Sequence, residues 1–389
     1  MEAKYVITNY NSKKISFLLE GNSLSKVDFV ENDSLIGGIY TAKVVNIVKS
    51  INAAFVDIGT GDYLYYPIGD NEDRHIFLRH GKSNKVCVGD EILVQVSMDP
   101  IKSKKGVVSS DITLKGDYLI LNRSGEIGIS KKITDEARRQ ELSDSISFLK
   151  DEDKIGVIIR TAAANVDVEL VKKEAAELLE NYHEIVKKAE SSVCKKLIYN
   201  SDKPYINQLK DIILKNKYES FSIITDIADI YEELSQTIEK RYLYFYDDDM
   251  LSLDKLYSFE DKLKKGFNKY IYLKSGGTIV VEPTEAMTVI DVNTGKAIKG
   301  KNVQDTFLKI NKEAASEIAR ILRLRNLSGI IIIDFISMTD SNKSGELINH
   351  LKSELAKDET LVKYVDITSL GLIELTRKKI SKPLQISMF

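Results

Sequence analysis

The sequence predicts a multidomain α+β chain with an early strand-rich barrel and a late α/β sheet. Three observations lead there. At 389 residues the chain exceeds one ordinary core, so about two to four domains are expected. Residues 37–115 carry five short strand-like runs between glycine turns, the spacing of a small barrel. Residues 266–389 set apolar strands around a long amphipathic helix pattern, as in a parallel βαβ unit.

Residues 1–35 read as short strands, Lys4–Thr8 and Ile15–Leu19, too few for a domain and expected to pair with something later in the chain. The barrel runs are Tyr40–Val48, Ala53–Ile58, Tyr63–Tyr66, Glu91–Val96 and Gly106–Thr113. Aromatic and basic residues interleave there: Phe55, Tyr63, Tyr65 and Tyr66, then Lys102, Lys104 and Lys105. Rings beside lysines suit single-stranded nucleic acid, but core aromatics and a solvated lysine loop fit the composition equally well.

The strand Tyr118–Leu121 leads into a helix over Asp135–Leu149, the strand Ile155–Arg160, and a helix over about 167–190. Arg160 ends its strand and Thr161 begins a turn, a pair able to grip phosphate. From the residues alone an ordinary arginine ion pair is the commoner outcome. Residues 198–265 mix the helix Tyr205–Lys215, the strand Ser220–Thr225 and an acidic, tyrosine-rich stretch at Tyr242–Asp249. Its triplet Asp247 to Asp249 lacks calcium-loop spacing.

Apolar residues make up 43% and charged residues 29%, as in globular chains. The net charge of -2 excludes a dominant polybasic field, so any nucleic-acid binding must use local patches. Cys87 and Cys194 form no CxxC pair, which gives no cysteine zinc site and fits a reducing compartment. The first residues lack the signature of a signal peptide, and no apolar run approaches the ~20 residues of a membrane span. A cytoplasmic location is therefore expected. No dinucleotide or P-loop glycine motif occurs.

In the last region Asp291 and Asp334 each close an apolar strand, and a helix pattern over about Gln304–Asn326 joins them. Its stripe is Phe307, Ile310, Ala314, Ile318 and Ile321, with stop signals at Asn326 and Gly329. A right-handed crossover would bring both carboxylates to one edge of the sheet, where open α/β sheets bind ligands. Two close carboxylates repel unless they share a proton or a cation. Asn293 points to the same face as Asp291. Few ligands, all oxygen, favour Mg²⁺ or Mn²⁺ over Zn²⁺. Either aspartate alone is more simply a loop cap; the pair with Asn293 favours a metal site. Lys296, Lys299, Lys301, Arg320, Arg323 and Arg325 form a cationic set nearby in sequence, although late-helix arginines also complement the helix dipole.

These residues resemble a known family. GGTIVVEPTEAMTVIDVNTG over 276–295, EAASEIARILRLR over 313–325 and GIIIIDF over 329–335 are similar to the signature of the ribonuclease E/G family. AAFVD at 53–57, YYP at 65–67, IRTA at 159–162 and GLIELTR at 371–377 extend the resemblance over nearly the whole chain. It implies a split RNase H-like subdomain (1–36 and 198–265), an S1 barrel of the OB fold (37–117), a 5′-sensor region (118–197) and a DNase I-like catalytic subdomain (266–389). It implies Mg²⁺-dependent endonucleolytic cleavage of single-stranded RNA, in rRNA processing or mRNA decay, stimulated by a 5′-monophosphate. Under the resemblance Asp291 and Asp334 are the metal ligands and Asn293 supports them. Arg160 and Thr161 sense the 5′-phosphate, and Phe55, Tyr65 and Lys105 contact RNA. Many members carry zinc-link cysteines, which are absent here, so an oligomer, if formed, is not expected to use that link. The rival expectation is a non-catalytic RNA-binding or ribosome-assembly factor with an S1 domain.

Overall fold

Short runs of β-prone apolar residues fold the N-terminus into three antiparallel strands, Glu2–Tyr10, Lys13–Glu20 and Ser23–Phe29, the first two buried on both faces over much of their length, in a computed structural model of the chain. The structure describes every residue except 1, 32–33, 84, 101–103, 153, 201–202, 249, 296–302 and 381, and the side chains of 150, 151 and 204. Lys102, Asp249, Lys296, Lys299 and Lys301 therefore lie outside the described residues. The chain divides into two compact units, residues 1–31 with 218–389, and residues 32–217.

In the first unit Glu2–Tyr10 pairs in parallel with Ser220–Thr225, which in turn pairs with Leu243–Phe245. The N-terminal hairpin thus finds the later partner it needs, in a five-stranded sheet. A second, six-stranded sheet runs in the order Tyr270–Tyr272, Thr278–Pro283, Met287–Asn293, Gly329–Asp334, Ile373–Arg377, Val362–Ile367. The pair Met287–Asn293 and Gly329–Asp334 is parallel; its neighbours are antiparallel. The crossover is the helix Val303–Leu324, whose Ile310, Ala314, Ile318 and Ile321 are buried, with Phe307 half-buried.

That helix ends as its residues require. Asn326 takes a positive φ of 49°, and the Leu327 N–H returns to the Leu322 carbonyl at 3.0 Å. A second helix, Ser341–Leu355, is capped by Asp340. Ile290, Val292, Ile331, Ile333 and Ile373 pack with the two helices in one core, shared with Val6, Ile15 and Phe17 of the first sheet. Phe17 stacks on Phe259 at 4.7 Å.

In the second unit five strands close a barrel of the OB kind: Ile39–Val48, Ala53–Asp57, Tyr63–Pro67, Val107–Ser109 and Glu91–Met98. Closure comes from Ile39–Val48, which pairs with Ala53–Asp57 on one side and Glu91–Met98 on the other. Val44, Ala54, Val56, Leu64, Tyr66, Ile92 and Val94 fill its interior. Beside the barrel lies a four-stranded sheet containing Leu119–Asn122 and Gly156–Ile159, with the helix Val168–Ser191. Val171, Ala175, Leu178 and Ile185 bury the helix stripe in a core with Leu119, Leu121, Val157 and Ile159.

Three strands had little sequence signal. Ser23–Phe29 is short and half polar, and Ile127–Ile129 and Leu197–Tyr199 are three residues each. The helix expected over Asp135–Leu149 stops at Ser145 and continues as a 3₁₀ turn.

Candidate functional site

Asp291 and Asp334 are direct register partners on adjacent parallel strands. Neighbouring strands lie ~4.8 Å apart, so the two carboxylates share one face at the carboxyl edge of the sheet. Asn293 stands two residues past Asp291, and its Nδ2 donates to Asp291 Oδ2 at 2.6 Å. That bond holds Asp291 in one rotamer and leaves its other oxygen free to bind. Among the described residues neither carboxylate has an ion-pair partner, and no three His, Cys, Asp or Glu side chains converge. Among the described residues nothing compensates the charge repulsion, and the donor set there is two carboxylates. That set fits Mg²⁺, which keeps several waters and binds through one or two carboxylates.

The supports of the site are local. The turn after Asn293 packs against the turn at 274–277. Gly295 has φ +55°, and a Cβ there would lie 2.3 Å from the Gly276 carbonyl oxygen, so only glycine fits. Glu313 of the crossover helix accepts from the N–H groups of Lys274 and Ser275 at 2.7 and 3.0 Å. Burial acts to raise its carboxyl, but bonds from Ser275 and Lys274 bring it below the ordinary value. Asn311, fully buried in the same helix, donates to the Ile336 carbonyl at 2.8 Å and accepts from the Ile336 N–H at 3.1 Å. This clamp fixes the chain just beyond Asp334. It was not singled out from the sequence, although a lone amide next to the apolar stripe, beside Ile310, is the signal.

The late-helix arginines do not join the pair. The crossover helix runs back from the carboxyl edge, so its last turns lie at the opposite edge of the sheet. Arg320 binds Glu317 and the Leu24 carbonyl. Arg325 is buried, donates to the Gly266 and Asn268 carbonyls, and is pulled down to about 10 by burial. Both are structural.

On the barrel, Phe55 and Tyr65 are cross-strand partners with ring centroids 6.1 Å apart. Both are half-buried and alternate with the buried Ala54, Val56, Leu64 and Tyr66, so they stand on the outer face. Tyr66, by contrast, is core: its hydroxyl meets Ser110 Oγ at 2.9 Å, and burial pushes its pKa up. Tyr65 N–H donates to the Gly106 carbonyl at 2.8 Å, which places the backbone next to Lys105 against the strand of Tyr65. Lys105 Nζ sits 3.1 Å from Asp62 Oδ1, and both side chains are exposed.

Arg160 lies in a polar cleft with Lys115, Glu174 and Asp211. It donates to the Gly116 and Asp117 carbonyls at 2.6 and 2.9 Å and to Asp211 Oδ1 at 2.7 Å. Burial works to raise Asp211, but hydrogen bonds from Arg160 and Lys115 outweigh it and leave the carboxyl below its usual value. Glu174 accepts from the N–H groups of Asp117, Tyr118 and Leu119, yet burial keeps its carboxyl above the ordinary value. Gly116 permits that approach, since a Cβ there would lie 2.5 Å from the Glu174 carboxyl carbon. Thr161 Oγ1 meets Ser130 Oγ at 2.9 Å on the surface.

Comparison with known proteins gives a consistent picture. The profile of the Ribonuclease E/G family matches residues 113–380. The chain is 32% identical to the putative ribonuclease E of Buchnera aphidicola subsp. Baizongia pistaciae, over 95% of this chain and 93% of that protein. It is 29% identical to the Ribonuclease G of Salmonella typhimurium, over 97% of this chain and 80% of that one. With the Ribonuclease E of Haemophilus influenzae it shares 29% identity over 94% of this chain but only 40% of the relative's length. Among the described residues no helix is long and apolar enough to cross a membrane.

Proposed function

The chain belongs to the ribonuclease E/G family, and from that premise we propose that it is an Mg²⁺-dependent endoribonuclease acting on single-stranded RNA. The observation that carries the reading is the register pairing of Asp291 with Asp334, with Asn293 bonded to the first. Asp291 and Asp334 hold the metal, and Asn293 keeps Asp291 oriented. Mg²⁺ bound there would supply a Lewis acid and a water of lowered pKa for in-line attack on a phosphodiester. The chain's own contribution is a fixed pair of oxygens on a rigid strand edge, stiffened by Asn311 and Gly295.

We assign the barrel to the S1 role, with Phe55 and Tyr65 stacking bases and Lys105 pairing with phosphate. The outward, neighbouring rings support this. We assign the Arg160 and Thr161 region to recognition of a 5′-monophosphate. Two of the five N–H hydrogens of Arg160 have no partner among the described residues. We also read the five-stranded sheet, three antiparallel strands extended by two parallel ones, as the RNase H-like part. The six-stranded sheet is then the DNase I-like part.

The test is cleavage of labelled single-stranded RNA by the purified protein with Mg²⁺. Internal cuts are expected, abolished by chelation and by the double substitution Asp291→Asn, Asp334→Asn. Normal cutting by that folded double variant would refute the assigned site.

A further inference from the structure

The six-stranded sheet buries one face against its helices; the other face carries the acidic pair. On that open face the strand register forms transverse rows. Tyr270 is the partner of Val280, Val280 of Asp291, and Asp291 of Asp334. In the next row Tyr272 is the partner of Thr278, and Thr278 of Asn293. Directly opposed residues share a face, so both tyrosine rings stand on the side of the carboxylates. The intervening Ile271, Ile279 and Val292 turn the other way into the core.

The two rings are unusually open. Tyr272 is 79% exposed and Tyr270 is 48% exposed. One exposed ring needs no explanation. Two in adjacent rows, each row ending on a residue of the acidic site, are a different matter. Strand spacing puts the ring strand roughly 10 Å from Asp291. Thr278 and Val280 lie between as a low floor, both half-buried. Lys269 steadies Tyr270, with Nζ 5.7 Å from the ring centroid and ion-paired to Glu282.

We propose that Tyr272, flanked by Tyr270, is a base-stacking platform that seats a nucleobase of single-stranded RNA next to the bond cleaved at Asp291 and Asp334. The proposal rests on the nuclease reading of that pair. Its chemistry is sequence-tolerant, because every base offers a π-face to an aromatic ring. A nucleic acid fits better than a protein segment because the Tyr270 row ends on two carboxylates, and a divalent cation held between them would draw a phosphate.

The chain contains no tryptophan, so Tyr272→Trp introduces a single indole reporter. Titration with a short oligouridylate in Ca²⁺ should quench its emission. In cleavage assays Tyr272→Ala should raise KM about tenfold, with kcat less affected, while Tyr272→Phe behaves as the unmodified protein. An abasic site beside the cleaved bond should cost the unmodified protein about the same factor and cost Tyr272→Ala almost nothing. An unquenched indole, or an abasic penalty equal in both proteins, would overturn the platform. If the unmodified protein cuts no RNA, the nuclease reading fails instead, and the indole titration still decides whether a base stacks there.

Discussion

Asp291 and Asp334 face one another across a single parallel strand pair, and the only side chain bonded to either among the described residues is the Asn293 amide on Asp291. Two like charges opposed in a sheet destabilise it. The pair therefore adds nothing to the fold by itself, and the proposed Mg²⁺ would remove the repulsion.

That relationship predicts a stability signature. In chelator, Asp334→Asn should stabilise the protein by about 0.2–1 kcal/mol through lost repulsion. Mg²⁺ should raise the Tm of the unmodified protein and leave that of the variant unchanged. Thermal unfolding with and without Mg²⁺ measures both.

Asn293→Ala removes the 2.6 Å bond that orients Asp291 without touching the carboxylate oxygens of the pair. Loss of such an outer partner typically costs about 10–100-fold in activity or metal affinity. Cleavage rates across an Mg²⁺ titration should show the loss, and a rate within twofold (roughly) of the unmodified protein would return Asn293 to a turn role.

Asn311→Leu should show that the clamp on Ile336 is a positioning device. Both backbone groups of Ile336 lose their side-chain partner. A destabilisation of about 1–3 kcal/mol is expected for buried groups left unpaired. The kcat should fall with KM nearly constant, because the binding surface is untouched while Asp334 loses its fixed exit.

Phe55→Ala should weaken binding of single-stranded RNA by about 1–3 kcal/mol, the worth of one stacked base. Phe55 lies on the outer face, so the folded barrel should survive. Affinity measured by filter binding or anisotropy decides it. In parallel, Arg160→Ala should reduce cleavage of 5′-monophosphorylated RNA far more than of 5′-hydroxyl RNA.

The Arg160–Asp211 pair gives a pH prediction. The Asp211 carboxyl lies below its ordinary value in the folded protein. Its stabilisation is therefore complete above the unfolded value of about 3.9 and is lost as pH falls through the lower folded value. Asp211→Asn should cost stability from neutral pH down to about pH 4, with the difference from the unmodified protein closing below that. A gap that persists unchanged into strong acid would mean the pair does not carry the effect.

Much of the site was legible because its determinants are local. An aspartate closing an apolar run, a helix-length crossover and a stop at Asn326 are short-range patterns, and the crossover rule turns them into proximity. Asn311 was less legible, since a buried amide next to an apolar stripe announces itself only when its partner, the Ile336 backbone, is placed. The arginines at 320 and 325 looked close to the site in sequence but point to the far edge, because a crossover helix reverses direction.

By itself the sequence determined the βαβ unit, the barrel strands, the aspartate pair and the family resemblance, all of which depend on periodicity and motif within a few tens of residues. Tertiary structure alone decided which rings face outward, what Arg160 binds, and that Tyr270 and Tyr272 share rows with the acidic pair. Those depend on strand register and on which faces other elements cover. Register is set by long-range pairing, and a slip of one residue would turn every side chain to the opposite face.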